Sequence, residues 1–422
     1  MTTAHEKTVP VEQTKRVSIW RNRDYVLLWG GQAISTIGGS ISELAFPLLV
    51  LVVTGSPAQA GIVAALGAVP ASLFSLPAGV LVDRWDRKRV MLLCEIGRFL
   101  SMLSIPLALV LGHLTIYQLY INSLLEGTLA VLFGVAHTAS LGQVVAREQL
   151  SQAIAQEEFM EGTTALCGPS LSGLLFTLGR FLPFIADAIS YAVSIVTLLL
   201  IRTPFQGERK KERPRLREEI REGIVWMWGQ IFIRSMTLFM VIATLCAGGT
   251  TLAVIVLAQQ RGATPAVIGV IFALGGVGSI VGSLLSPFWE RHLSVGHAIL
   301  VCRWSTALLL PLYVLLPIPL LMGLPEFGFG FIDPIEDVPY FSYRLWLIPE
   351  VLRGRVIGAC RLFPSLVRPL GRLIMGICVQ LLGPVSTLLI SWCGMLLLAL
   401  LMTGNRHIRD ARRPTEPGQN DR

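Results

Sequence analysis

The sequence predicts an all-α membrane protein with twelve transmembrane helices in two pseudo-symmetric six-helix bundles. Composition is the first reason, because 53% of the 422 residues are hydrophobic and only 15% are charged, whereas soluble proteins carry about 25% charged residues. Apolar runs also recur along the chain at about the 20 residues that one crossing of a bilayer needs. Finally, one long polar stretch near the middle, residues 203–230, separates two sets of such runs.

Six apolar runs precede this polar stretch. Short polar turns such as Thr54-Gly55-Ser56-Pro57 and Gly112-His113 separate neighbouring runs, and short turns predict that neighbouring spans are antiparallel. We expect an N-terminal tail at residues 1–24 and a first bundle at residues 25–202. Its spans are predicted at residues 25–53, 57–82, 90–111, 116–136, 154–178 and 182–201.

The stretch 203–230 predicts a linker that ends in an amphipathic helix. After Pro214, apolar residues recur at helical spacing with charges opposite them, at Leu216, Ile220, Ile224 and Met227. This pattern is typical of a helix lying on a membrane face. Six more runs predict a second bundle at residues 231–403, followed by a C-terminal tail at residues 404–422. Its spans are predicted at residues 235–257, 266–288, 298–317, 320–346, 357–382 and 384–402.

The distribution of Lys and Arg predicts the orientation of these spans. If the N-terminus lies inside, the turns on the outer side carry only Arg180 and Arg261, and the other loop cations fall on the inner side. Cytoplasmic loops of membrane proteins carry an excess of Lys and Arg. We therefore expect both termini in the cytoplasm. The same placement of cations between apolar runs argues against a nucleic-acid partner, which would require a basic face on a folded domain.

The turn between the second and third runs carries the most specific motif. Gly79 is followed four residues later by Asp83-Arg84 and then by a basic cluster, which resembles the loop between helices two and three of the major facilitator superfamily. A degenerate copy, Ser286 followed by Glu290-Arg291, stands about half a chain later. Six-helix repeats of this kind form the two halves of a major facilitator transporter. The resemblance implies the major facilitator fold and transport by alternating access.

We interpret this turn as an inner gate. Gly79 would let a neighbouring helix approach closely. Asp83 could accept hydrogen bonds from Arg84 or Arg87, or lie against the N-terminus of a helix in the other bundle. The alternative is simple anchoring of a basic loop at the cytoplasmic surface. The gate residues are predicted to be Gly79, Asp83, Arg84, Arg87, Lys88 and Arg89.

The fifth run carries Gly168-Pro169 and Gly173. These small residues and the proline resemble the antiporter motif of the same superfamily, although Thr164 and Ser172 depart from it. The resemblance implies that the helix bends here against its neighbour. The alternative is an ordinary proline kink, since proline removes a backbone hydrogen bond, without bearing on the direction of transport.

Acidic residues inside the apolar runs are the predicted proton or substrate groups. An ionisable group near the bilayer centre costs about 2.5–3.5 kcal/mol on insertion scales and is therefore a functional hypothesis by default. Three acids in the tenth run are spaced so that they share a helix face. The alternative is pairing with intramembrane arginines, namely Arg98, Arg303, Arg344, Arg361, Arg368 and Arg372. The candidate acids are Glu43, Glu126, Asp187, Asp333, Glu336 and Asp337.

Three further stretches narrow the resemblance. Arg21-Asn22-Arg23-Asp24-Tyr25, Phe184-Ile185-Ala186-Asp187-Ala188 and residues 344–355 resemble the branch of bacterial exporters for macrolides and enterobactin-type siderophores. The resemblance implies proton-driven efflux of a drug-like or siderophore-like compound across the inner membrane. An importer of an organic solute, or a receptor or lipid-flipping protein that transports no solute, remains the alternative.

Other functions have little support in the sequence. It lacks the GxxxxGK[ST] loop of ATP hydrolysis and the GxSxG and HExxH motifs of hydrolases, so we expect no enzyme activity. The seven cysteines stand singly, which predicts neither a disulfide framework nor a metal site. We expect a monomer that needs no cofactor and uses the proton gradient, with a small molecule and the lipid bilayer as its partners.

Overall fold

The computed structural model describes residues 18–205 and 216–411, and all the regular structure in these ranges is helical. Predictions for most of the N-terminal tail, the first part of the linker and the end of the C-terminal tail lie outside the described residues. The first six long helices are α1 (Arg23–Thr54), α2 (Pro57–Arg84), α3 (Arg87–Val110), α4 (Ile116–Val144), α5 (Leu150–Leu178) and α6 (Leu182–Leu200).

Side-chain caps explain where several of these helices begin. The Ser56 hydroxyl accepts from the Gln59 amide and Pro57 occupies the first turn of α2, while Asp86 and Thr115 cap α3 and α4. Such caps satisfy backbone amides that have no partner within the helix. The predicted starts of these spans agree with the structure within a few residues.

Helix α4 is longer than predicted. Its apolar run was expected to end at residue 136, but the helix continues to Val144. The hydroxyls of Thr138 and Ser140 donate to the carbonyls of Gly134 and Ala136, at 2.9 and 2.7 Å. Because these polar side chains are satisfied by the preceding turn, they continue the helix rather than end it.

The second half contains more breaks than the sequence predicted. Its helices are α7 (Leu216–Gly229), α8 (Ile231–Ala247), α9 (Thr250–Gln260), α10 (Pro265–His292), α11 (Val295–Leu309), α12 (Leu312–Leu315), α13 (Gly323–Leu347), α14 (Arg353–Gly404) and α15 (Arg406–Arg409). The predicted seventh span is interrupted between α8 and α9, and the ninth between α11 and α12. The last two spans form α14, which turns at Gly383, where φ is 82°. Only glycine adopts this conformation without cost.

The helices account for the twelve predicted spans. Nine helical segments in the described parts of the chain are long and apolar enough to cross a bilayer, and α14 supplies two spans within one of them. The other two predicted spans correspond to α5 and α13, which have 29 and 25 residues and are interrupted by acids. The protein is an all-α, multi-pass membrane protein.

The helices form two groups that meet along two helix pairs. In the first group α1 packs against α5 and α6, and α4 packs against α2 and α3; in the second, α13 packs against α10 and α11, and α14 against α8 and α9. Helix α2 contacts α14, and α5 contacts α10, across the boundary. We call the end at residues 84–89 the basic face, and the end at the α1–α2 turn, residues 55–56, the opposite face.

The hydrophobic core is continuous near the opposite face and divided near the basic face. One apolar cluster joins residues from both groups, such as Leu49 and Ala60 with Leu252 and Val379. Toward the basic face, one cluster around Met91 contains only residues of the first group, and another around Ile233 contains only residues of the second. The two groups are therefore held together at the opposite face.

The predicted amphipathic helix packs against protein. Met227 is 1% exposed in the cluster around Ile233, and a Cβ on Gly223 would lie 2.5 Å from the Arg355 carbonyl oxygen of α14. Arg355 forms ion pairs with Glu219, at 3.4 Å, and with Glu222. The sequence correctly predicted the amphipathic pattern, but the apolar face is occupied by the second group of helices.

Candidate functional site: a charged cavity between the two helix groups

A cavity of about 750 Å³ lies where the two groups separate. Phe46, Ala60 and Leu252 line it and also belong to the joined core, which closes it toward the opposite face. Helices α1, α2, α4 and α5 supply most of the lining, and the second group contributes residues from 248 to 255 and one arginine of α14. The charged side chains in the wall are Glu43, Arg98, Glu126, Glu161 and Arg372.

Glu43 is the first predicted acid in this cavity. Its side chain is exposed to the cavity from α1. Among the residues that the structure describes, it has neither an ion pair nor a hydrogen bond. A carboxyl group in this position can meet a solute or a proton directly.

Glu126 is the second predicted acid in the cavity, but it has partners. Its Oε1 atom lies 2.7 Å from Nε and 2.6 Å from Nη2 of Arg98, and it accepts a hydrogen bond of 2.7 Å from the Tyr191 hydroxyl. The Arg98 guanidinium also lies over the Tyr191 ring, 4.3 Å from its centroid. Glu126 Oε2 is buried without a hydrogen-bond partner in the described structure.

Arg98 lies between two carboxyl groups. Its Nη1 atom is 3.7 Å from Oε1 of Glu95, one helical turn away on α3. Glu95 is completely buried; Ser35 donates to its Oε1 at 3.4 Å, and its Oε2 has no partner in the described structure. Glu95 and Arg98 are three residues apart on α3, a spacing that allows an ion pair within one helix. In the structure Arg98 is closer to Glu126, because α3 and α4 bring these two side chains together.

Asp187 lies behind the cavity. It is completely buried between α1 and α6, where it accepts hydrogen bonds from Ser42 and Ser190. A Cβ on Gly38 would lie 2.7 Å from Asp187 Oδ1, so this glycine lets α1 approach α6. Asp187 does not line the cavity as the sequence predicted, since α6 packs behind α1.

The three acids of α13 lie close enough to interact electrostatically but differ in their hydrogen-bond partners. Glu336 is buried and pairs with Arg303 of α11, with Arg303 Nε 2.9 Å from Glu336 Oε1. Asp333 and Asp337 are exposed and have no ion pair or hydrogen bond among the described residues. None of the three lines the cavity. Arginine pairing, the alternative considered from the sequence, therefore applies to Glu336.

The predicted gate residues lie at the basic face. Arg87 donates to the carbonyls of Ala139 and Phe205, at 2.9 and 3.4 Å, and Lys88 donates to that of Ile201 at 2.7 Å. These acceptors belong to the first group. Cations commonly bind carbonyls near helix C-termini in this way. Arg84 and Arg89 are exposed. The side chain of Asp83 and the surroundings of Gly79 lie outside the described residues, so their gating function stays a prediction.

The small residues of α5 allow two close helix contacts. A Cβ on Gly168 would lie less than 3.0 Å from the Ser40 hydroxyl of α1. A Cβ on Gly173 would also lie less than 3.0 Å from the Pro265 carbonyl oxygen of α10. A Cβ on Gly269 of α10 would in turn meet the Pro169 carbonyl oxygen within 3.0 Å. Gly168, Pro169 and Gly173 therefore lie where α5 contacts both its own group and the other.

The sequence interpretation missed several polar groups. Glu161 lines the cavity, and Glu157 Oε1 lies 3.6 Å from His137 Nδ1. Glu326 accepts a hydrogen bond of 2.6 Å from the Tyr313 hydroxyl. The sequence signal was available, since acids inside a predicted span mark functional candidates. The sequence did not show which helix faces each of these acids.

Comparisons with known proteins agree with this architecture. A family model described as Major Facilitator Superfamily matches residues 28–371. The chain is 26% identical over 406 residues to the multidrug efflux pump Tap of Mycolicibacterium fortuitum, covering 90% of this chain and 95% of Tap. It is 24% identical over 383 residues to the enterobactin exporter EntS of Shigella dysenteriae, covering 89% and 91%. Macrolide efflux protein A of Streptococcus pyogenes is 28% identical over 216 residues, about half of each chain.

Solved structures show the same fold. A bacterial homologue of the iron transporter ferroportin, in an inward-facing state, superposes with a TM-score of 0.69 at 18% identity and covers 92% of this chain and 99% of its own. The nucleoside transporter NupG superposes with a TM-score of 0.71 at 11% identity and covers 90% and 98%.

Proposed function

We propose that this chain, which belongs to the Major Facilitator Superfamily and is a membrane transporter with efflux-pump relatives, exports a drug-like or siderophore-like molecule in exchange for protons. The observation that carries the proposal is the central cavity, whose wall holds the Arg98–Glu126 pair and Glu43, a carboxyl group without a hydrogen bond or ion pair among the described residues. A solute and a titratable group can meet there. The names of Tap, EntS and macrolide efflux protein A support export.

The cation distribution supports an orientation with the basic face in the cytoplasm. Contacts between the groups then lie on the outer side: the Ser56 hydroxyl is 2.9 Å from Gln380 Oε1, and the Ala266 amide is 3.0 Å from the Thr177 hydroxyl. In this orientation the cavity faces the cytoplasm, where an exporter collects its cargo. Residues 25–202 and 231–403 would move as the two rigid units, within the inner membrane.

The position of Arg98 between two acids supports proton coupling. While Glu126 is ionised it holds Arg98 at 2.6 Å. A proton on Glu126 removes that attraction, and Arg98 then moves toward Glu95, 3.7 Å away on its own helix. Because Glu126 lines the cavity and Glu95 is buried, protonation at the cavity wall changes the packing of α3 against α4. The change links proton binding to the shape of the site.

Everted membrane vesicles with an acidic lumen provide the test. A pH-sensitive dye should report proton release when a transported compound is added from a panel of macrolides, tetracyclines, fluoroquinolones, aminopenicillins and catecholate siderophores. An importer working by proton symport would show no release, because its substrate would have to start in the lumen. Silence across the whole panel would contradict proton-coupled export.

A variant of Glu126 tests the coupling step. Glu126→Gln keeps the shape of the side chain but cannot exchange a proton, so we expect substrate-driven proton release to fall by about tenfold or more. Substrate binding to the detergent-purified variant should persist. The matched control is Glu350→Gln, since Glu350 is 85% exposed and its ion-pair partner in the described part of the chain is the nearby Arg353. Normal proton release by Glu126→Gln would exclude it as the carrier.

A further inference from the structure

Three arginines of α14 form one stripe. Arg361, Arg368 and Arg372 are seven and four residues apart, and at about 100° per residue they lie within about 40° of one another around the helix. Ser365 lies on the same side, and its carbonyl oxygen accepts a hydrogen bond from the Ser72 hydroxyl of α2. The stripe therefore faces the boundary between the two helix groups.

The stripe reaches the cavity at Arg372. Arg372 lines the wall, and its described polar contact is a hydrogen bond of 3.1 Å from Nη1 to the Ala64 carbonyl oxygen. A guanidinium carries five N–H donors, so most of its capacity stays unused. Arg368 and Arg361 are exposed and have no hydrogen bond or ion pair with any described residue.

Two other arginines within the spans have carboxylate partners. Arg98 pairs with Glu126 and Arg303 pairs with Glu336, whereas Arg344 lies over the Tyr340 and Phe341 rings. Neutralisation of this kind is the usual solution for a cation inside a membrane protein. No ion pair among the described residues neutralises the stripe, and the compensating charge recorded for Arg372 is the longer-range attraction of Glu43.

The opposite wall carries the opposite charge. Glu43 of α1 and Glu161 of α5 line the cavity, and neither has an ion-pair partner among the residues described. The Arg372 nitrogens lie more than 4.0 Å from the Glu43 oxygens, so the two side chains do not form a direct ion pair. The cavity thus has carboxyl groups on the first helix group and a guanidinium on the second, with Phe46, Leu252 and Ile255 among its apolar residues.

We propose that the cargo is an amphoteric organic molecule, whose carboxylate or phenolate binds Arg372 while its amine faces Glu43 and Glu161. This inference rests on the proposed export function. Arg361 and Arg368 supply an approach for the anionic group from the basic face to the cavity. Guanidinium groups bind carboxylates with paired, charge-assisted hydrogen bonds, and a cavity of about 750 Å³ accommodates a drug-sized molecule.

The test compares matched compounds in the same everted vesicles. Two scaffolds are used, a fluoroquinolone and an aminopenicillin, each as the zwitterion, as its methyl ester and as its N-acetyl derivative. We expect proton release with the zwitterion. For the ester, which lacks the anion, the half-saturation concentration should be at least about tenfold higher. Equal transport of zwitterion and ester would overturn the proposal. Release with a macrolide and with none of the zwitterions would overturn it too, yet leave proton-coupled export intact.

Variants connect this preference to the stripe. Arg372→Gln should raise the half-saturation concentration of the zwitterion about tenfold or more, while leaving the concentration for the ester within about twofold. Arg368→Gln should slow transport without abolishing binding. Arg409→Gln is the matched control, because Arg409 is exposed and pairs with Asp410 outside the cavity.

A second variant addresses failure of Arg372→Gln to fold. Arg372→Lys keeps the charge but not the paired hydrogen bonds, and it should retain the preference for zwitterion over ester with weaker binding. A native half-saturation concentration for the zwitterion in Arg372→Lys, together with a native transport rate in Arg368→Gln, would overturn the assignment of the stripe. Silence with every compound, macrolides included, would instead contradict the export function and this inference with it.

Discussion

Single charged residues in this protein differ mainly in whether a neighbouring helix supplies a partner. Glu336 is paired with Arg303 and is 5% exposed, whereas Asp333 and Asp337, within one turn of it, are exposed. A buried ion pair tolerates loss of both charges far better than loss of one, because a single remaining charge stays buried without compensation. Glu336 therefore has the features of a structural residue.

A variant of this pair should show that behaviour. Glu336→Leu removes the hydrogen-bonded carboxylate partner of Arg303 and should destabilise the protein by up to about 3–5 kcal/mol, while the double change to Glu336→Leu with Arg303→Met should recover most of the loss. The readout is thermal unfolding in detergent, followed by a thiol-reactive dye that gains access to the buried Cys302. Equal destabilisation by the single and double variants would contradict the pairing.

At the scale of helices, glycine determines which elements can approach. Gly173 and Gly269 bring α5 against α10, and Gly61 and Gly376 bring α2 against α14, where added Cβ atoms would lie less than 3.0 Å from the partner backbone. These two helix pairs form the most extensive contacts between the groups. A helix pair that must separate during transport has to rely on such backbone contact rather than on interlocked large side chains.

Gly173→Val should therefore weaken the contact between α5 and α10. Overpacking of this kind costs about 1–3 kcal/mol. Here it destabilises the conformation in which the opposite face is closed. We expect slower transport with little change in unfolding temperature. Gly162→Val on the same helix is the control, because a Cβ there would meet nothing within 4 Å. Equal transport by both variants would show that this contact does not limit the cycle.

At the scale of the whole molecule, the joined core makes one end of the structure closed. The apolar cluster that contains Leu49 and Val379 spans both groups, whereas the clusters around Met91 and Ile233 do not. Alternating access requires the joined core to divide and the separate ones to meet. Rocking about a central site is the motion that accomplishes both.

Cross-linking tests this motion. In a variant without the seven native cysteines, Ser56→Cys with Gln380→Cys places thiols where the native side chains are 2.9 Å apart across the two groups. A short thiol cross-linker should arrest transport, and a reductant that cleaves it should restore transport. The control pair is Ser104→Cys with Gln118→Cys, which lies within the first group at 3.2 Å. Continued transport by the cross-linked first pair would contradict separation at that end.

The span positions could be predicted because hydropathy is a local property. Runs such as residues 57–82 and 116–136 are readable without knowing their neighbours, and the caps at Ser56 and Thr115 fix their starts. The breaks inside the predicted seventh and ninth spans, and the extension of α4 to Val144, were not readable. In those places local hydrogen bonds and packing decide whether an apolar or a polar segment stays helical.

The candidate site was predicted only in part. Intramembrane position identified Glu43 and Glu126 as candidates, and both line the cavity. The same reasoning grouped Asp187 with them, although it lies behind α1, and it gave no weight to Glu161 or to the orientation of Arg372. The position of an acid in the sequence predicts the energetic cost of burying its charge. Whether that charge has a partner depends on the helix that faces it.

By itself, the sequence determined that this chain crosses a membrane many times and resembles the major facilitator superfamily, and its uneven distribution of loop cations predicts the orientation, because apolar length, charge and motif are properties of short stretches of chain. Tertiary structure decided which charges neutralise each other and which remain in the cavity. The physical reason is that electrostatic pairing acts over a few ångströms between helices distant in sequence. Arg98 and Glu126, 28 residues apart, meet at 2.6 Å, whereas Arg372 meets no carboxylate among the described residues.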